Sequence, residues 1–84
     1  MLIGVRTIKT GKLRYRNALD IDYNMYVRES EKESGKYVIR LSNKYLLDEI
    51  YDTQEDAEED MRELADTVNR LEEERRDRRN EEGR

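Results

Sequence analysis

The sequence has no cysteine and no histidine among its 84 residues, and each absence excludes a class of chemistry. Without cysteine the chain has neither a disulfide nor a thiolate metal site. Without histidine it lacks the commonest metal ligand and the usual general base. Carboxylates, amines and hydroxyls remain. We therefore expect a protein that is not an enzyme, needs no cofactor and acts by binding a partner.

Long apolar runs are also missing. The apolar run at the N-terminus, Met1–Val5, is far too short for a signal peptide. No stretch approaches the roughly 20 apolar residues that a membrane span requires. These observations predict a cytoplasmic protein with no membrane contact.

Apolar residues are scarce overall, at 35% of the chain against 45% charged residues. This balance lies toward that of disordered chains. All six tyrosines and many β-branched residues nevertheless come before residue 52, so the first two-thirds of the chain have the means to fold. The length provides for one domain with one small core.

The net charge of −4 conceals a strong segregation of charge along the chain. Residues 1–19 contain five basic side chains and no acid, whereas residues 48–66 contain ten acids and a single base, Arg62. Blocks of this kind set long-range fields and the choice of partner rather than the fold.

Apolar residues occupy alternate positions over a long segment that follows a turn signal at residues 10–12. The odd positions carry them, with one lapse at Asn17: Leu13, Tyr15, Leu19, Ile21, Tyr23, Met25 and Val27. A period of two predicts a strand with one buried face. Because the segment is long for one strand, we expect a bend or bulge near Asn17 and Ala18.

Two further segments continue the β pattern after a polar loop at residues 30–35. Tyr37, Ile39 and Leu41 are expected to be buried on one face of a strand. The intervening side chains are expected to face water: Val38, Arg40 and Ser42. After a turn at residues 43–44, residues 45–51 favour another strand, although their pattern also permits a helical turn.

The last third of the sequence predicts one helix. Thr53 is a good N-cap, so the helix should begin at Gln54. An apolar stripe at spacings of four and three then follows one helix face: Ala57, Met61, Leu64, Val68 and Leu71. Beyond the stripe only charged pairs remain, and we expect the helix to fray from about residue 75.

These elements predict an α+β fold, an antiparallel three- or four-stranded β-meander covered by one long C-terminal helix. The expected organisation is a single domain over residues 1–74 and a charged, frayed helical tail over residues 75–84. The shared core should join the odd-position strand residues to Met61, Leu64 and Val68. The alternative is that the helical stripe zips two copies together as a homodimer, but two heptads are marginal for a coiled coil.

Carboxylates at Asp20, Asp22 and Glu31 come close to the pattern of a calcium-binding loop. That loop requires glycine at its sixth position, where this chain has Met25 within a strand pattern. A magnesium-dependent nuclease site is also disfavoured, since no acid is followed at the second position by lysine. We therefore expect neither metal-binding nor catalytic residues.

The acidic block has two interpretations. It is the solvated face of a helix, or it presents carboxylates at spacings that resemble a nucleic-acid backbone and occupies the nucleic-acid channel of a nuclease. In the second interpretation the partner-binding residues are Glu55, Glu58, Glu59, Asp60, Glu63 and Asp66.

The basic N-terminal segment has the composition of a hairpin that contacts nucleic acid, with tyrosine between two arginines. The candidate nucleic-acid-binding residues are Arg6, Lys9, Lys12, Arg14, Tyr15 and Arg16. The competing interpretation is that these bases solvate an outer face or pair with the acidic helix. The acidic block would repel phosphates unless it lies on the far side of the domain.

Residues 35–43, with the sequence Gly-Lys-Tyr-Val-Ile-Arg-Leu-Ser-Asn, resemble a strand of a Cas9-inhibiting anti-CRISPR protein of phages. Residues 50–57 resemble the strand-to-helix junction of small phage and mobile-element proteins. The resemblance implies a non-enzymatic, acidic inhibitor that binds a host nuclease or nucleoprotein complex in the host cytoplasm. A small nucleic-acid-binding module or a structural adaptor protein is the alternative.

Overall fold

The computed structural model describes the backbone of residues 1–82 and the side chains of residues 1–76. It contains five strands, a short 3₁₀ turn at Ala18–Asp20 and one helix. The strands are β1 (Leu2–Thr7), β2 (Leu13–Asn17), β3 (Tyr26–Glu29), β4 (Tyr37–Arg40) and β5 (Tyr45–Leu47). The helix, α1, spans Gln54–Glu82.

The strands form one antiparallel sheet in the order β2-β1-β5-β4-β3, and α1 packs across one of its faces. The predicted α+β class is therefore confirmed, with five strands instead of three or four. β1–β2 and β3–β4 are hairpins between neighbours in sequence. The fifth strand is inserted between them, since it pairs with β1 on one side and with β4 on the other.

The long alternating segment is broken where the bend was predicted. The Asn17 side chain accepts a hydrogen bond from the Leu19 backbone N–H at 3.0 Å, which starts the 3₁₀ turn. The single buried face predicted across the bend was wrong. Ile21, Tyr23 and Met25 join the core, whereas Tyr15 is 67% exposed and every residue of β2 is exposed.

The cause is the strand register. Tyr15 pairs with Gly4 and Leu13 with Arg6, so both lie on the sheet face away from α1, whereas Arg14 pairs with the buried Val5. The helix packs on the other face, against β3, β4 and the 3₁₀ turn, and does not extend over β2. The largest fully buried side chains come from the middle of the sheet: Val5, Ile39 and Leu41. Ala18, at an even position of the pattern, is also completely buried.

The strand that contains Ile39 is buried on both faces, which corrects the prediction that Val38 and Ser42 face water. Val38 is only 7% exposed, because it lies under the loop that follows β3 and lines a groove with it. Ser42 is 8% exposed, and its hydroxyl accepts a hydrogen bond from the Lys44 N–H within the turn to β5.

The segment after this turn is a strand as predicted, although it ends at Leu47 and not at residue 51. A turn follows, in which the Glu49 N–H bonds the Leu47 carbonyl. Tyr51 then pairs with Tyr37 in an isolated bridge. This bridge connects the segment that precedes α1 to β4.

The helix begins as predicted. The Thr53 hydroxyl accepts a hydrogen bond from the Asp56 N–H at 3.1 Å, the geometry of an N-cap. Ala57 and Val68 are buried, and Met61 and Leu64 pack against the core. The apolar stripe thus covers the sheet and is not the free surface that a coiled-coil dimer requires.

The backbone of α1 continues to Glu82. The predicted tail, residues 75–84, falls partly outside the described residues, which end at residue 82 for the backbone and residue 76 for side chains. The boundary at residue 74 and the fraying beyond it stay predictions.

Candidate functional site

The acidic face of α1 separates into two groups in the structure. Glu58 and Asp60 are half-buried. The other four predicted partner-binding residues are exposed: Glu55, Glu59, Glu63 and Asp66. We refer to these four as the acidic row.

Helix geometry sets the spacing of the acidic row. Glu55, Glu59 and Glu63 are four residues apart, so each lies one turn further along the same side of the helix. The step along the axis is about 6 Å for four residues. Asp66 extends the row by three residues. The result is a gently winding row of carboxylates along one side of the helix.

The half-buried pair serves the fold. Glu58 accepts a hydrogen bond from the Gln54 side-chain amide at 3.3 Å. Asp60 faces the phenol of the buried Tyr51, which donates to the Glu49 carboxylate at 2.8 Å. Burial, then the hydrogen bond to Glu49 and the neighbouring carboxylates of Glu49 and Asp60, raise the pKa of Tyr51 above its ordinary value. The phenol therefore stays protonated and joins the first turns of the helix to the segment before it.

None of the ion pairs found among the described side chains involves the acidic row, although the exposed Arg62 lies beside it, three residues after Glu59 and four before Asp66. These ion pairs join other residues: Arg6 to Asp48, Arg28 to Glu31, and Lys36 to Asp52. Like charges four residues apart on a helix destabilise it by about 0.2–0.5 kcal/mol per pair. The row is thus an exposed and mutually repelling set of charges that a cationic partner would stabilise.

The predicted basic residues are brought together on the β1–β2 hairpin but differ in availability. The Arg6 Nε lies 2.6 Å from an Asp48 carboxylate oxygen, and its guanidinium also donates to the Gly11 carbonyl at 3.0 Å. Arg16 lies over the ring of Tyr45, 5.7 Å from its centroid. Arg6 and Arg16 are exposed despite these contacts, as are the other basic side chains of the hairpin: Lys9, Lys12 and Arg14.

The basic and acidic surfaces lie apart. β2 is at one edge of the sheet, and α1 packs on β4 and β3 at the other side. β2 and β4 are three strand spacings apart, or about 14 Å. Charges separated by more than about 8 Å are largely screened at physiological ionic strength. The basic hairpin therefore does not pair with the acidic helix in the structure. The two surfaces can act separately.

The carboxylates considered for a metal site do not form a cluster with other potential metal ligands in the described structure. Asp20 ends the 3₁₀ turn, whereas Glu31 lies in the loop after β3 and is paired with Arg28 at 3.6 Å. Across the described residues, no group of three or more potential ligands is placed to hold a metal ion.

Sequence reasoning missed a groove of about 540 Å³ on the sheet face opposite α1. Val38, Leu46 and Ile50 line it, between the β1–β2 turn and the loop at residues 30–33. Apolar side chains at even positions were the signal for this second apolar surface. The groove is bordered by charges of both signs, including Arg28 and Glu31, so it selects neither an anion nor a cation.

No helix in the part of the chain that the structure describes combines the length and the apolarity needed to cross a membrane. Comparison with protein-family models, with curated proteins and with solved structures gives no match to this chain.

Proposed function

We propose that this chain is a non-enzymatic protein of the phage or mobile-element type that binds and inhibits a host nuclease or nucleoprotein complex. The acidic row of α1 enters the basic channel through which that partner binds nucleic acid. The observation that carries the proposal is the exposed row of Glu55, Glu59, Glu63 and Asp66, none of which forms an ion pair among the described side chains. The resemblance of residues 35–43 to an anti-CRISPR strand guides the choice of target class, and the proposed location is the host cytoplasm.

Electrostatics supplies the mechanism. A channel that binds phosphates contains lysine and arginine side chains, and a line of carboxylates on a rigid helix meets them without a loss of backbone entropy. The repulsion within the row is relieved when these cations approach. Complementary charge also accelerates the encounter and makes binding sensitive to salt.

Capture from a bacterial lysate tests the proposal when it is combined with a matched pair of variants. In the first variant, Glu55, Glu59 and Glu63 are replaced with glutamine, which removes three charges from the acidic row. In the control, Glu72, Glu73 and Glu74 are replaced with glutamine, which removes three exposed charges further along the same helix. Parent and control should retain a nucleic-acid-binding protein that the first variant loses.

The identity of the captured protein is decisive. It should bind nucleic acid on its own and lose that activity when the parent chain is added. Equal capture by both variants, or capture only of proteins without a nucleic-acid site, contradicts the proposal.

A second candidate function is nucleic-acid binding by the β1–β2 hairpin. The exposure of all five residues of β2 favours it, because Arg14, Tyr15 and Arg16 are open to solvent. An electrophoretic mobility shift with mixed DNA and RNA distinguishes the two candidates. The first predicts no shift with the isolated protein, whereas the second predicts a shift that is lost when Arg14 and Arg16 are replaced with alanine.

A further inference from the structure

The free edge of the sheet at β2 has unused backbone hydrogen-bonding groups. Two hydrogen bonds at the ends of the β1–β2 ladder show which facing residue pairs are hydrogen-bonded. The Thr7 N–H donates to the Lys12 carbonyl at 3.1 Å, and the Ala18 N–H donates to the Met1 carbonyl at 2.8 Å. Hydrogen-bonded pairs alternate along an antiparallel ladder, so Arg14 and Arg16 bond β1. The N–H and C=O groups of Leu13, Tyr15 and Asn17 therefore point away from β1, toward the open edge.

The side chains of this edge differ between its two faces. Arg14 and Arg16 project on the face that α1 covers elsewhere, beyond the reach of the helix. On the opposite face lie Leu13 and Tyr15, with Leu2 of β1 nearby. Leu2 is 70% exposed, so this face of the hairpin carries an exposed apolar patch.

The close approach of Tyr15 to Gly4 shapes the patch. A Cβ atom at Gly4 would lie 3.6 Å from the Tyr15 ring, so the ring rests over the glycine and is held beside the strand. The edge at β2 thus combines three features: unpaired backbone groups, two arginines on one face and an apolar patch on the other.

We propose that β2 is a docking edge for an extended peptide segment of a partner protein, which adds to the sheet as a sixth, antiparallel strand. Its residues alternate between acidic and apolar. The acidic residues lie opposite Arg14 and Arg16, and the apolar residues lie beside Leu13 and Tyr15. The partner is therefore an acidic peptide, and its site is separate from the acidic row of α1.

The same pattern rejects a second copy of this chain. Two β2 strands paired antiparallel about Tyr15 would place Arg14 of each copy opposite Arg16 of the other, and like charges directly opposite destabilise a sheet. Charged residues on an edge strand commonly prevent such self-pairing. A strand with acids at those positions turns the repulsion into attraction. Nucleic acid would engage the guanidinium groups but leave the outward N–H and C=O groups and Leu2 without partners.

Titration of the isotopically labelled protein with a blocked seven-residue peptide of alternating valine and glutamate tests this proposal by NMR. The expected result is binding, with amide shift changes concentrated at residues 13, 15 and 17. Replacing Arg14 and Arg16 with alanine should weaken binding by about fivefold, the effect of two exposed ion pairs. Tyr15→Pro should abolish it, since proline removes an outward N–H that β1 does not use.

Modified peptides provide the control that leaves the protein unchanged. In the proposed register the valine N–H groups point at β2 and the glutamate N–H groups point away from it. N-methylation at the valines should therefore abolish binding, whereas N-methylation at the glutamates should preserve it. A peptide with lysine in place of glutamate should not bind.

Four results would overturn the proposal. They are no binding at millimolar peptide, equal effects of the two N-methylation patterns, binding of a single-stranded oligonucleotide at β2 in preference to the peptide, and self-association in sedimentation that Tyr15→Pro removes. The last two would assign the edge to nucleic acid and to a second copy, respectively.

Discussion

The two hairpins of this protein have similar apolar alternation, but their alternating side chains differ in burial. In β3–β4, alternate side chains such as Ile39 are buried beneath α1. In β1–β2, Leu13 and Tyr15 alternate in the same way and are exposed. The difference arises because α1 covers one face of the sheet, whereas the register places Leu13 and Tyr15 on the other face. Alternation thus identifies residues that share a face, but the position of the helix decides which face is buried.

The largest expected effect on stability comes from a comparison of two leucines. Leu41 is completely buried, whereas Leu13 is 39% exposed at the edge of the sheet. Leu41→Ala should lower the free energy of unfolding by about 2–5 kcal/mol, since it leaves a cavity in the core. Leu13→Ala should change it by about 0.5 kcal/mol or less. Urea denaturation measures both, and similar losses would mean that β2 is covered in solution.

Removal of the N-cap of α1 should cause the next largest loss of stability. Thr53→Ala removes the hydroxyl that accepts the Asp56 N–H, which should cost about 1 kcal/mol. Thr53→Ser retains the hydroxyl and should preserve most of the stability. If thermal denaturation shows equal losses for both variants, the hydroxyl is not what stabilises the helix terminus.

Much of the architecture follows from the sequence because the relevant signals are local. Thr53 followed by acids predicts a helix start, and the lapse at Asn17 predicts the bend. The exposure of Tyr15 could not be predicted, since it depends on which face of the sheet is covered by a helix far along the chain. The insertion of β5 beside β1 and the groove beneath the loop at residues 30–33 depend equally on contacts between distant segments.

The candidate site shows the same division. Helical spacing places Glu55, Glu59 and Glu63 in one row, which sequence alone predicts. The engagement of Asp60 with Tyr51 is not apparent from spacing, because it requires the chain before the helix to fold back on β4 through the bridge between Tyr37 and Tyr51.

The ion pair between Lys36 and Asp52 should have a small effect that depends on pH. It connects the loop before β4 to the segment before α1. A hydrogen bond and the opposite charge of Lys36 lower the pKa of Asp52, and the same contacts with Asp52 raise the pKa of Lys36. The aspartate contribution is complete above about pH 4 and is lost as pH falls through its lowered pKa. The lysine contribution is complete below about pH 10 and is lost as pH rises through its raised pKa.

Comparison of the parent with Asp52→Asn measures this effect. The stability difference between the two proteins should be largest between these limits and should disappear in acid. A constant difference from acid to neutral pH would show that the ion pair is not formed in solution.

The smallest effect is expected for the part of the helix that follows the apolar stripe. Truncation after Arg75 removes residues beyond Leu71, the last stripe position, and should leave the melting temperature nearly unchanged. Differential scanning calorimetry of the two chains measures this. A large decrease would mean that the tail packs on a surface, most simply that of a second subunit.

The most direct test of the proposed function is competition for the target between this protein and nucleic acid. Fluorescence anisotropy of a labelled oligonucleotide on the captured target reports displacement by the parent, by the glutamine variant at Glu55, Glu59 and Glu63, and by the alanine variant at Arg14 and Arg16. We predict that the parent and the arginine variant displace the oligonucleotide, that added salt weakens this displacement, and that the glutamine variant fails while remaining folded. Displacement by the glutamine variant, together with its loss in the arginine variant, would contradict the account.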